Sequence, residues 1–127
     1  MLSLKLFEHM KSNKFRFILL SYMILILIGS SLSGYSFPDY RLFTFDKLLH
    51  IIEYSILGIL GIKSLRQISF TGVVLVIFGG ILFAGVDELW QYFTPGRFAS
   101  RYDVLADTIG ILIGVVITIV YLKRIND

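Results

Sequence analysis

The chain contains no cysteine, and only two prolines in 127 residues. Without thiols, neither a disulfide framework nor a thiolate metal site can form. Charge is scarce as well. Charged residues make up 17% and hydrophobic ones 56%, against about 25% and 45–50% in soluble domains. A core of this size cannot hide so much apolar surface from water, so the solvent that suits the chain is lipid. Motifs for common chemistries are missing too. No Gly-rich phosphate loop precedes a strand, and neither G-x-S-x-G nor H-E-x-x-H occurs. The net charge of +3 is small, and the basic residues sit mainly outside the apolar runs. That pattern fits a membrane surface and argues against nucleic acid as a partner.

What is present is a series of four apolar runs. Residues 1–14 precede the first, with Leu2, Leu6 and Met10 on one helical face and Lys5, Glu8 and His9 elsewhere. They read as a short amphipathic helix lying on a bilayer, with His9 in a surface role. The run at 17–32, FILLSYMILILIGSSL, holds no charge and is expected to face lipid; Ser31 and Ser33 also give it the look of a signal peptide. A connector at 34–45 is rich in aromatics, which favours the headgroup region. The second run, 48–62, is bounded by Lys47 and Lys63, which can snorkel and lengthen it. The third, 70–93, ends at the turn Thr94-Pro95-Gly96-Arg97. The fourth is 104–122. Gly58 and Gly61, then Gly79, Gly80 and Gly85, and finally Ala106, Gly110 and Gly114 are expected to let neighbouring helices approach.

These features predict one all-α membrane domain over residues 1–127, a bundle of four transmembrane helices at about 16–33, 47–64, 69–93 and 104–122. Basic residues cluster before the first run, between the second and third, and after the fourth. The positive-inside rule then places both termini in the cytoplasm. The same assignment brings His50, Glu53, Asp87, Glu88, Gln91, Arg97, Arg101, Asp103 and Asp107 to the outer leaflet. Ionisable groups at membrane depth are expensive and mark function.

Each of these residues has more than one reading. His50 and Glu53 share a helix face at i, i+3. They form an acid–base pair, ligands of a divalent cation completed by Asp87, Glu88 or Asp107, or a structural contact between helices. Asp87 and Gln91 share a face, while Glu88 is rotated by about 100°. Burying adjacent carboxylates requires a cation or shared protons. Arg97 and Arg101 either neutralise these acids or meet an anionic headgroup. Asp103 sits where a helix cap belongs; Asp107, a turn deeper, does not. Lys47 lies one turn before His50 on the same stripe.

Two stretches, DKLLHIIEYSILG (46–58) and DELWQYFTPGRFASRYDVLADTIG (87–110), carry the order K-x-x-H-x-x-E-Y, D-E-x-x-Q, P-G-R and D-x-x-x-D-x-x-G. In this combination the chain resembles the VanZ-like family of small bacterial integral membrane proteins, named for a protein linked to teicoplanin resistance. The match covers three of the four expected spans. It falls on Lys47, His50, Glu53, Tyr54, Asp87, Glu88, Gln91, Pro95, Gly96, Arg97, Asp103, Asp107 and Gly110. The resemblance implies a role in the envelope at the bacterial cytoplasmic membrane, but no particular reaction.

The expectation is a protein that binds or modifies a lipid-linked envelope intermediate, or a lipoglycopeptide such as teicoplanin. Lys47, Gln91, Arg97, Arg101 and Asp103 are the candidate ligand-binding residues. The alternative is a membrane enzyme acting on a lipid-linked substrate. There His50, Glu53, Asp87, Glu88 and Asp107 are the catalytic candidates, and His50, Glu53 and Asp107 the candidate ligands of a divalent cation.

Overall fold

A computed structural model describes residues 2–32 and 43–126. Among them the fold is all-α, with four helices in chain order: α1 (Leu2–Ser31), α2 (Phe43–Lys63), α3 (Phe70–Tyr92) and α4 (Arg101–Asn126). Three contain segments long and apolar enough to cross a membrane: His9–Ser31, Phe70–Tyr92 and Arg101–Ile125. Their outward faces carry bare apolar side chains, among them Phe17 at 74% exposure and Leu82 at 71%. Such faces suit a hydrocarbon solvent.

The first helix departs from expectation. The surface helix anticipated over residues 1–14 is not a separate element, because α1 runs unbroken from Leu2 to Ser31. No glycine or proline interrupts residues 2–28, so nothing in the backbone chemistry forces a break. The aromatic connector at 34–45 lies mostly outside the described residues. Its end does not behave as a connector, since α2 begins at Phe43.

The deepest packing joins α2 to α4. A methyl group placed on Gly110 would come within 2.5 Å of the Ile51 carbonyl oxygen, and one on Gly58 within 2.6 Å of the Ile111 oxygen. One on Gly114 would strike the Ser55 carbonyl. The two backbones therefore touch along a seam that only glycine permits, as small-residue packing in membranes predicts. Gly61 receives Val76 of α3, and Gly80 receives Ile111. Gly79 and Gly85 have nothing nearby. They sit on the outward face of α3, so the close approach expected there does not occur.

Ile26, Tyr54, Leu57, Ile62, Ala84, Ile111 and Val115 form the buried apolar core. Three hydroxyls on α2 and α4 are satisfied locally. Ser55, Thr108 and Thr118 each donate to the carbonyl four residues earlier, at 2.7–2.8 Å, which keeps them out of contact with lipid.

Two local devices end α3 and start α4. The turn Thr94-Pro95-Gly96-Arg97 closes with Arg97 N donating to Thr94 O at 3.2 Å. Gly96 has φ +76°, the only positive φ among the described residues. Proline second and a left-handed glycine third is the pattern of a type II turn. Ser100 then caps α4, its hydroxyl accepting from Tyr102 N at 3.2 Å.

Candidate functional site

The end of α1, the start of α2, the end of α3 and the start of α4 meet at one end of the bundle. Every carboxylate whose side chain the structure describes lies there: Asp46, Glu53, Asp87, Glu88, Asp103 and Asp107. The reason is positional. Lipid tolerates these groups only where several helices face one another and supply partners.

Asp87 is 1% exposed. It accepts from Tyr54 Oη at 3.0 Å and, by a short contact, from Ser30 Oγ. Gln91 Nε2 donates to the same Ser30 hydroxyl at 3.3 Å, so Asp87 and Gln91 do share a face. Glu88 turns away from both, and its Oε1 accepts from the backbone N–H of Ser100. The neighbouring acids thus draw their donors from different elements, Asp87 from α1 and α2 and Glu88 from the residue before α4.

Across the α2–α4 seam, His50 Nδ1 lies 2.8 Å from Asp107 Oδ1, and His50 Nε2 lies 3.9 Å from Asp103 Oδ1. Lys47 Nζ pairs with Asp103 and reaches Asp46 Oδ2 at 3.2 Å. Asp103 is consequently an ion-pair partner and not the cap of α4, a role Ser100 fills. His50 finds its carboxylate on the facing helix rather than at Glu53, because Gly110 brings α4 close enough for the imidazole to reach Asp107. Glu53 contributes its backbone carbonyl, which accepts from Tyr22 Oη at 2.9 Å. Its side chain has no hydrogen bond among the described residues, and it lies within Coulombic reach of His50, Asp87, Asp107 and Arg97.

Arg97 and Arg101 behave differently from each other. Arg97 donates to the carbonyls of Gly29 at 3.0 Å and Leu32 at 3.3 Å, fastening the turn to the C-terminal end of α1, where carbonyls run out of helical partners. Arg101 is exposed at the first position of α4. It does not enter the buried cluster.

Two buried oxygens have no hydrogen-bond partner among the described residues: Glu88 Oε2 and Asp107 Oδ2. The Glu53 carboxylate also lacks a hydrogen bond among the described residues, but these two are the fully buried oxygens so left. An unmatched buried acceptor costs on the order of 1–3 kcal/mol, and more when charged.

The sequence profile of the VanZ/LLP1 family matches residues 3–122. The chain belongs to the VanZ/LLP1 family. No curated protein and no solved structure matches it. Family membership together with the apolar helices makes it a multi-pass membrane protein of the VanZ type.

In this VanZ-type chain, sequence reasoning missed the part played by the first helix. Having no charge, the run at 17–32 was expected only to face lipid. Yet Ser30 joins Asp87 to Gln91, its carbonyl accepts from Thr94 Oγ1 at 3.0 Å, and Ser31 accepts from Trp90 Nε1 at 2.8 Å. The adjacent serines closing an otherwise apolar run were the available signal. Asp46 was also missed. Ligand atoms of Asp46, His50 and Asp103 lie within 4.8 Å of one another. That trio differs from the expected set of His50, Glu53 and Asp107, because α4 brings Asp103 beside the first turns of α2, where Asp46 and His50 lie.

Proposed function

We propose that this VanZ-type protein crosses the bacterial cytoplasmic membrane four times with both termini inside. In this reading its outer-end cluster binds the polar head of a lipid-linked or lipidated envelope ligand. Two features support the second helix as a span. Its 21 residues reach about 31 Å at 1.5 Å per residue, close to the ~30 Å hydrocarbon thickness. Its outward face is apolar at Leu48, Leu49, Ile52 and Ile56, whereas Lys47 and His50 turn to partners on α4. The basic residues at the opposite end support the orientation.

The observation that carries the binding reading is the pair of unsatisfied oxygens, Glu88 Oε2 and Asp107 Oδ2. A ligand rich in hydroxyl, amide or amine donors, as envelope sugars and peptides are, would match two carboxylate acceptors. Exposed Arg101 is then placed for the anionic part of the same head, and Lys47 and Arg97 for its rim. A lipoglycopeptide such as teicoplanin combines these donors with an acyl chain, which would link binding to resistance.

The test is mass spectrometry of lipids retained by the detergent-purified protein. Wild type is expected to retain a lipid-linked envelope species. Glu88→Gln and Asp107→Asn should reduce its retention at least about tenfold, the effect of roughly 1.4 kcal/mol. Retention of bulk phospholipid alone, with unchanged teicoplanin susceptibility on expression, would overturn the reading.

A second reading has its own support. With Asp107 ionised, His50 Nδ1 carries the proton and Nε2 keeps a lone pair toward Asp103. A carboxylate orienting a histidine in this way is common around divalent metals. The reading is an acid–base or metal-assisted enzyme acting on a lipid-linked substrate. It predicts about one divalent ion per purified chain, lost in His50→Ala.

A further inference from the structure

The opposite end of the bundle has its own cavity, of about 410 Å3. This lies within the ~300–1,000 Å3 range of small-molecule sites. Lys11 of α1, Lys63 at the end of α2 and Arg66 in the α2–α3 connection line it, and Phe15, Tyr121 and Leu122 contribute apolar wall. The wall is held in place. Ser12 Oγ and Arg16 Nε both donate to the Ser64 carbonyl, at 3.2 and 3.1 Å, tying α1 to the end of α2. Lys63 Nζ stands 5.2 Å from the centre of the Phe15 ring, a cation–π distance.

The described lining of the cavity carries three cations and no acid. Lys11, Lys63 and Arg66 enter none of the ion pairs among the described side chains, whose carboxylates all lie at the other end. The C-termini of α2 and α4 each contribute about −0.5 charge. The N-terminus of α3 at the same end contributes about +0.5, so the three cations leave the lining net positive around a cavity with one greasy side. The orientation rule asks only for positive residues outside the spans. It does not ask that three of them, drawn from two helices and a connection, line one cavity beside aromatic and aliphatic side chains.

We infer that this cavity binds the phosphate-bearing head of an anionic membrane lipid, with Lys11, Lys63 and Arg66 on the phosphate and the apolar wall against the upper acyl chain. Basic pockets between membrane helices favour such headgroups. The site is independent of the polar cluster and stands whether or not that cluster binds a ligand.

The full-length protein in detergent is titrated with phosphatidylglycerol or phosphatidylcholine and examined by native mass spectrometry. Phosphatidylglycerol is expected to be retained in preference to phosphatidylcholine. Lys11→Gln and Arg66→Gln should each weaken its retention about fivefold. Lys123→Gln with Arg124→Gln removes two charges from the same end without touching the cavity lining, and should leave retention nearly unchanged. Equal retention of the two lipids overturns the inference. So does an equal loss in the Lys123/Arg124 variant, which would assign the preference to general surface charge. Displacement of phosphatidylglycerol by millimolar inorganic phosphate alone would show that a free anion, and not a lipid, is the ligand. Melting curves accompany each variant, and a charge-reversed Arg66→Glu that folds normally yet retains phosphatidylglycerol also counts against the site.

Discussion

The two ends of the bundle handle charge in opposite ways. At one end Asp87, Glu88, Asp103 and Asp107 are buried, and each accepts from a side chain or backbone of another element. At the other, Lys11, Lys14, Arg16, Arg66, Lys123 and Arg124 are exposed. The difference teaches what each end is for. Exposed cations near a membrane surface are inexpensive and orient the chain. Buried carboxylates are costly in hydrocarbon, so they persist only within a structure that supplies donors. A site is more informative where the chain accepts that cost.

The contrast can be broken at its hinge. Gly114→Leu drives a side chain into the Ser55 carbonyl and the Ile59 amide, neither of which can yield as a side chain would. The expected penalty is about 3 kcal/mol or more, read as loss of the monodisperse peak in detergent. Should the variant fold normally, the α2–α4 seam does not hold the acidic end together.

Asp87→Ala comes next. It strands Tyr54 Oη and Ser30 Oγ in a buried setting and is expected to destabilise by about 3 kcal/mol. Asp87→Asn, which keeps an acceptor, should recover part of this in thermal melts. Arg97→Ala removes the donors that fasten the turn to α1, at an expected cost of about 1–2 kcal/mol. Its melting temperature should fall measurably, while Arg101→Ala, at an exposed position, should leave it alone.

The smallest effect belongs to the other end. Lys123→Gln should change stability by less than about 0.5 kcal/mol, the range for exposed substitutions. If it matched Asp87→Ala in a melt, the two ends would not differ in the way described.

Much of this was legible without coordinates. Apolar runs announced the helices, Pro95-Gly96 announced the turn, and the small-residue series at 106, 110 and 114 announced the closest seam. The convergence of α2, α3 and α4 on one polar end also followed from the placement of their acids. Pairing within that end did not. His50 and Glu53 are neighbours by helical period, yet the histidine reaches Asp107 across the seam. Asp103 looked like a cap, yet Ser100 caps and Asp103 holds Lys47. Ser30 had no charge to advertise it.

By itself the sequence determined the solvent, the helical class and the end at which the costly groups gather. Hydrophobic runs and charge placement are one-dimensional properties, and lipid leaves a helix as the simplest way to satisfy the backbone. Only the tertiary structure decided which donor meets which carboxylate and left Glu88 Oε2 and Asp107 Oδ2 without one among the described residues. Hydrogen bonds depend on ångström-scale distances between helices, and those distances are set by how closely the glycines of α4 let it approach α2.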